Sequence, residues 1–320
     1  MNTNTNTNTN TNTNTNTNTN KVNRLTKWRY VSSCLSLVLM ILSLSVITVK
    51  GFNWGLDFTG GVVTEIRIDS DIKANQISSL LGGVSEQEVS VISAGEPGRW
   101  VLRYSQAETS GDVSTNALDI EQVLTPLHSD VEVLNSSIVG PQIGQELAEQ
   151  GGLALLVAML CILGYLSFRF EWRLASGALF ALFHDVIFVL AFFSLTQMEF
   201  NLTVLAAVLA ILGYSLNDSI IIADRIRELL TSKPKVPIAD VCTSAVKATF
   251  SRTMVTSGTT LMTVSALWVM GGGPLESFSI AMFIGILTGT WSSISVGTCL
   301  PELFGVNSEH YKLTPIPETP

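Results

Sequence analysis

Charge is what this sequence has least of. Only 14% of its 320 residues are Asp, Glu, Lys or Arg, against roughly 25% in soluble globular domains, while 47% are hydrophobic and the mean hydropathy is +0.39. That balance excludes an ordinary soluble enzyme, and it excludes disorder for most of the chain. Basic residues are scarcer than acidic ones, 18 against 26, for a net charge of −8. A nucleic-acid binder needs a basic surface, so no nucleic acid is expected as a partner. The four cysteines (Cys34, Cys161, Cys242, Cys299) form no CxxC pair, and three lie in apolar runs. A thiol there behaves as a small hydrophobe, so neither a disulfide framework nor a zinc site is expected. No metal, cofactor or catalytic site is expected; the chain does not read as an enzyme.

What is present begins with a low-complexity tract. Residues 2–20 alternate Asn and Thr with no apolar side chain. Such a stretch has nothing to bury against its ordering entropy, so residues 1–20 are expected to be disordered. A short basic segment, 21–29, follows.

Crossing ~30 Å of hydrocarbon takes about 20 apolar residues. Six windows meet or approach that length: Tyr30–Val49, Gly151–Phe168, Leu174–Met198, Phe200–Ala223, Thr253–Leu275 and Ser277–Pro301. The third is interrupted by His184 and Asp185, the fourth by Asp218. Basic residues mark alternate connections: Lys21, Arg24, Lys27 and Arg29 before the first span, Arg169 and Arg173 after the second, and Arg225, Arg227, Lys233, Lys235, Lys247 and Arg252 between the fourth and fifth. The positive-inside rule then puts both termini, including the tail 302–320, in the cytoplasm and residues 50–150 outside. The first span is long for a cleaved signal peptide, and no A-x-A site follows it.

Residues 50–150 read as a small α+β unit. Gly61–Ile68, Glu88–Ser93, Arg99–Ser105 and Val131–Val139 carry strand patterns. Ile72–Leu81 has helical spacing, and Asp112 or Ser114 is placed to cap a second helix reaching Leu127. The order β-α-β-β-α-β is the ferredoxin-like split pattern, which hosts many functions. Gly51–Gly61 (GFNWGLDFTGG) is glycine-rich but lacks the Lys of a phosphate-binding loop. This domain holds 15 acidic and 5 basic residues, a net −10, while the rest of the chain holds 11 and 13, a net +2. The acidity therefore belongs to the outside domain.

Among the membrane residues Asp218 is the sharpest signal. A carboxylate inside a span costs about 2.5–3.5 kcal/mol on the insertion scale, so it should face the bundle interior and have a partner. Arg252 opens the fifth span on the cytoplasmic side, and Asp218 lies about 9 Å to the cytoplasmic side of its own span's centre at 1.5 Å per residue. Antiparallel packing would bring them together; the alternative is an Arg252 that snorkels to the interface. Asp185 is a second intramembrane acid, a relay station or a helix-pairing group. Thr253, Thr256, Ser257, Thr260 and Thr263 recur at helical spacing in the fifth span, and Ser215 and Asn217 offer polar groups in the fourth. They would line a wet path or bond helix to helix. Gly285, Gly289, Ser293 and Gly297 form a small-residue packing stripe. Asp224 is spaced to pair with Arg227, and Arg225 with Glu228.

Five motifs carry a resemblance: GLDFTGG at Gly55–Gly61, VGPQIGQEL at Val139–Leu147, RFEW at Arg169–Trp172 followed by His184-Asp185, GYSLNDSIIIADRIRE at Gly213–Glu228, and SRTMVTSGTTL at Ser251–Leu261. Together, in this order and spacing over residues 21–305, the chain resembles the SecF side of the SecD/SecF protein-export family, within the resistance-nodulation-division superfamily. The resemblance implies six transmembrane helices with a ferredoxin-like α+β periplasmic domain between spans 1 and 2, in the bacterial inner membrane. It implies a role in protein translocation on the Sec pathway, driven by proton or sodium flow. It implies SecD and the SecYEG channel as partners, with YajC and YidC as further candidates, and unfolded exported polypeptides as cargo. Asp218 and Arg252 match the family's ion-coupling aspartate and arginine, and Asp57, Gly60 and Gly61 fall in its glycine motif. The chain departs at Ala223, where Phe is common in the family, and at Thr243–Ala248, where Asn and Gln often stand. Two rival readings stay open: a small-molecule efflux transporter, which calls for a large apolar pocket in the outside domain, and an assembly factor without ion coupling.

Overall fold

The structure is a computed structural model and describes residues 7–84, 89–94, 97–104, 120–127 and 131–311. The expected cap residues Asp112 and Ser114, and His128, lie outside these.

Nine α-helices of the described residues and one four-residue turn, α2, surround or flank a small sheet. Helix α1 (Thr7–Lys50) leads through α2 (Leu56–Thr59) into β1 (Gly61–Arg67), α3 (Ala74–Val84), β2 (Val89–Ser93), β3 (Arg99–Tyr104), α4 (Ile120–Leu124) and β4 (Glu132–Val139). The chain then enters α5 (Pro141–Arg169), α6 (Trp172–Thr196), α7 (Leu202–Ser232), α8 (Ile238–Met270), α9 (Gly273–Ile294) and α10 (Val296–Leu303), and a 3-10 turn at Ser308–Tyr311. The strand boundaries fall within a residue of the sequence expectation.

One expectation differs at the start. Residues 7–20, expected to be disordered, continue α1 as helix. Propagation from a formed helix needs no new nucleus, so even weak helix formers can extend the apolar span behind them.

The sheet order is β2-β3-β1-β4 with every pairing antiparallel. Alternation decides its buried face: Val62, Ile66 and Leu102 face a core with Ile77 and Leu81 of α3 and Leu124 of α4. A bulge between Glu65 and Ile66 breaks the β1–β4 register.

Five helical stretches are long and apolar enough to cross a membrane: Arg24–Lys50, Gln142–Arg169, Trp172–Thr196, Leu202–Ser232 and Leu275–Leu303. Helix α8, which contains the expected fifth span, has the length (33 residues) but not the apolarity. Its hydroxyls at Thr253, Thr256, Ser257, Thr259, Thr260 and Thr263 dilute it. The sixth expected window is bent, since the helix is broken at Ser295 and Pro301 lies within α10. Helices α6, α7 and α9 form the centre, with Phe193, Val204, Ile211 and Ile286 in one buried cluster. The small-residue stripe lets them close: a Cβ on Gly285 would land on the Ile211 side chain, and one on Gly289 would lie 3.2 Å from Asp185 Oδ2 and from Ser215 Oγ. Helices α1 and α5 keep apolar faces exposed, including Val31, Ile41, Leu153 and Leu160, as lipid-facing helices do.

Candidate functional site

Two polar clusters sit inside this apolar bundle. In the first, Asp218 is 2% exposed on the inner face of α7. Ser257 Oγ on α8 donates to Asp218 Oδ2 at 3.5 Å, and Thr290 Oγ1 on α9 stands 2.8 Å from Ser257 Oγ. Two further hydroxyls, Ser219 and Thr253, are buried with no hydrogen-bond partner among the described residues. Such groups are costly to bury dry, so they mark a place where water or an ion would be satisfied.

Arg252 begins the same turn of α8 as Thr253. Its guanidinium makes no ion pair within 4 Å among the described residues, but it acts on Asp218 electrostatically across the α7–α8 contact. It is exposed and lines an open cavity of about 560 Å³ with Asp224, Arg225, Arg227 and Glu228. The two residues are coupled electrostatically across α7 and α8, but Asp218 does not line that cavity and no salt bridge between them is present among the described residues.

The threonine face divides. Thr253 and Ser257 point inward toward Asp218's helix and are buried. Thr256 and Thr260 are half-buried and give their hydroxyls to their own helix, at Arg252 O and Thr256 O. That i−4 back-bonding satisfies a hydroxyl without a partner helix. Asn217 is exposed, whereas Ser215 is buried.

The second cluster surrounds Asp185, which is 0% exposed. Its Oδ2 accepts from Ser215 Oγ on α7, and its Oδ1 lies 3.0 Å from His184 Nδ1. Ser215 and Asp218 are three residues apart on one helix face, so α7 carries a link of each cluster.

The glycine motif ties the bundle to the sheet. Gly60 (φ 75°) and Gly61 (φ 150°) hold a turn that residues with a Cβ rarely adopt. Asp57 Oδ2 accepts from the backbone N–H of Leu202 at 3.0 Å, capping α7 beside Asn201, whose Oδ1 accepts from Val204 N–H. Gly55 N–H donates to Phe200 O, Phe200 N–H donates to Asn53 O, and Phe52, Trp54 and Phe58 pack on the Phe200 ring. Arg103 of β3 pairs with Glu199 at 2.8 Å. The cavity here, about 460 Å³, is lined by Asn53, Trp54, Thr59, Ser90, Arg103 and Glu199, a polar mixture.

Sequence spacing identified two ion pairs correctly, Asp224–Arg227 at 3.0 Å and Arg225–Glu228 at 2.6 Å. It missed that Asp224 also receives Arg169 from α5, at 2.8 Å. It also missed Arg29, read only as a topology charge. Arg29 is 1% exposed and bonds Thr298 Oγ1, Thr298 O, Thr243 Oγ1 and Glu302 Oε2, with Tyr30 OH donating to the same carboxylate. Nothing in the basic segment singles out Arg29 from Lys21, Arg24 and Lys27, and its partner Glu302 lies at the far end of the chain. Among the described residues, no group of three or more His, Cys, Asp or Glu is arranged to hold a metal ion.

The chain is similar to known proteins over most of its length. The family description "Protein export membrane protein SecD/SecF, C-terminal" matches residues 119–304, and "SecD/SecF GG Motif" matches residues 45–72. A protein translocase subunit SecF from Vibrio alginolyticus is 39% identical, covering 89% of this chain and 90% of that protein. One from Escherichia coli O157:H7 is 38% identical, covering 91% and 90%. The crystal structure of SecDF from Thermus, titled a translocon-associated membrane protein, superposes with a TM-score of 0.74 at 33% identity. The match covers 85% of this chain and 37% of that one, so the chain spans little more than a third of the SecDF polypeptide.

Proposed function

The chain belongs to the SecD/SecF family, on its SecF side, and from that premise we propose that it is an ion-coupled subunit of a bacterial protein-export complex. It works with SecD beside the SecYEG channel, with YajC and YidC as further candidate partners, in the inner membrane. Helix α8 completes six spans, both termini are cytoplasmic, and residues 50–150 form a ferredoxin-like periplasmic domain. The antiparallel order β2-β3-β1-β4 supports that domain assignment.

The observation that carries the coupling reading is the placement of Asp218: a carboxylate buried in the bundle, bonded by the Ser257 hydroxyl of α8, and within electrostatic reach of Arg252, which makes no closed ion pair among the described residues. When a proton or sodium ion neutralises Asp218, its attraction for Arg252 disappears and the α7–α8 contact loosens. When the ion leaves, the attraction returns. Each charge crossing 100 mV supplies about 2.3 kcal/mol, enough to bias two packings of a helix pair. Helix α7 transmits the change because its other end is held by Asp57, by the Gly55–Phe200 backbone pairing and, through Glu199, by Arg103 of the sheet. Movement of the domain then assists an unfolded polypeptide outward.

The test is precursor export in cells whose sole copy carries Asp218→Asn. Loss of gradient-dependent export with the protein present at normal level is expected. Normal export would remove the coupling reading and leave an assembly role. In the wild type, comparing an imposed proton gradient with an imposed sodium gradient names the ion.

A further inference from the structure

His184 and Asp185 are neighbours on α6 and both are buried, at 2% and 0% exposure. The Asp185 carboxylate faces α7 and α9, where Ser215 donates to it and Ser292 stands beside it. Gly289 leaves the space the carboxylate occupies. The His184 ring stacks on Phe188 at 4.3 Å between centroids. Its Nδ1 is 3.0 Å from Asp185 Oδ1. Its other nitrogen, Nε2, is buried and meets no hydrogen-bond partner among the described residues.

When Asp185 is ionised its carboxylate only accepts hydrogen bonds, so in that state Nδ1 carries the ring hydrogen and Nε2 keeps a bare lone pair. In that state the pair bears one negative charge. No Lys or Arg lies within ion-pair distance of Asp185 among the described residues. The charged side chains of the surrounding helices stand elsewhere: Arg29 and Glu302 pair with each other, Lys50 bonds Leu195 O, Arg169 holds Asp224, and Asp218 belongs to the neighbouring cluster. A buried charge without a cation is expensive.

We propose that the His184–Asp185 dyad is a proton-binding site, with His184 Nε2 as the acceptor and Asp185 as the group that orients the ring and stabilises the imidazolium. A hydronium ion admitted by the gradient gives up one proton, an N–H bond forms at Nε2, and water is left. No electrons change hands, and the dyad passes from one negative charge to none. An imidazole nitrogen takes a proton readily, whereas sodium favours hard oxygen ligands. The dyad therefore points to protons. Helix α7 joins it to Asp218, since Ser215 bonds Asp185 one turn from Asp218. This inference rests on the ion-coupling reading and adds a second station to it.

The test uses the full protein in its export complex, reconstituted with a proton gradient and no sodium gradient. His184→Asn keeps a side-chain N–H for Asp185 but cannot take a proton. It is expected to lose the proton-gradient stimulation of export. Full stimulation in His184→Asn, with Asp218→Asn inactive, overturns the dyad and leaves the coupling reading standing. Full stimulation in both overturns that reading as well. If His184→Asn does not accumulate, ¹⁵N-histidine NMR of the wild-type protein in nanodiscs decides. The chain has three histidines, and substituting His128 and His310 assigns the resonances. Protonation of His184 Nε2 on acidification is expected; a ring that keeps one state throughout overturns the proposal.

Discussion

The Asp57 carboxylate accepts a hydrogen bond from the backbone N–H of Leu202, 3.0 Å from Oδ2 to N. A residue of the glycine motif thereby closes one end of the helix that carries Asp218. Capping bonds of this kind are worth about 0.5–2 kcal/mol. Asp57→Ala is expected to destabilise the purified protein by about that much and so lower its melting temperature, and Asp57→Asn, which keeps an acceptor oxygen, by much less. Thermal unfolding in detergent checks the pair; equal losses for Ala and Asn would show that the cap contributes nothing.

Arg29 and Glu302 make a buried ion pair at 3.1 Å between α1 and α10. Removing one partner of such a pair costs about 3–5 kcal/mol because the other charge stays buried, whereas apolar replacement of both is often tolerated. Arg29→Met alone should therefore sharply reduce accumulation in the membrane, and Arg29→Met with Glu302→Leu should recover most of it. Quantitative immunoblotting of the three strains is the measurement.

Arg103 and Glu199 join the sheet to the α6–α7 connection, each about a fifth exposed. Partial burial puts their coupling at about 1 kcal/mol. Arg103→Glu should impair export more than it impairs stability, since it loosens the domain from α7. The exchange Arg103→Glu with Glu199→Arg should restore it. No recovery in the exchanged protein would mean the pair does not transmit motion.

Gly144 sits where α5 crosses the glycine motif, and a Cβ there would come within about 3 Å of the Phe58 and Gly60 backbones. Overpacking of this kind costs about 1–3 kcal/mol, so Gly144→Ala should destabilise. Gly152→Ala is the control on the same helix: its Cβ meets nothing within 4 Å, and helix propensity favours Ala by up to about 1 kcal/mol. Melting temperatures of the two variants should move in opposite directions.

Burial pushes the Tyr311 phenol up to about 12, with Glu171 adding to the effect. A folded-state value above the unfolded one stabilises fully below the ordinary tyrosine range near pH 10. That stabilisation is lost as pH rises through about 12. Tyr311→Phe should flatten the stability profile across pH 10–12, measured by denaturant unfolding at stepped pH.

Much of this was legible in the chain itself. Apolar runs of membrane length, basic connections and strand alternation are local signals, each written in one contiguous segment, and they located the helices and the four strands. Asp218, Asp185 and Ser215 stood out for the same reason: a polar group in an apolar run is visible without any partner. The helical pairs Asp224–Arg227 and Arg225–Glu228 followed from a fixed spacing of three.

What only the tertiary structure decided is who meets whom. Arg29 finds Glu302 across 273 positions, Asp57 finds Leu202 across 145, and Ser257 finds Asp218 across 39. The threonines of α8 look alike in sequence, but packing turns Thr253 and Ser257 inward and leaves Thr256 and Thr260 to bond their own helix. Helical period sets the angle of each side chain about its own axis; it carries nothing about how one helix is rotated against the next. That rotation comes from close packing between helices, where glycines such as Gly285 and Gly289 permit contact and larger side chains forbid it.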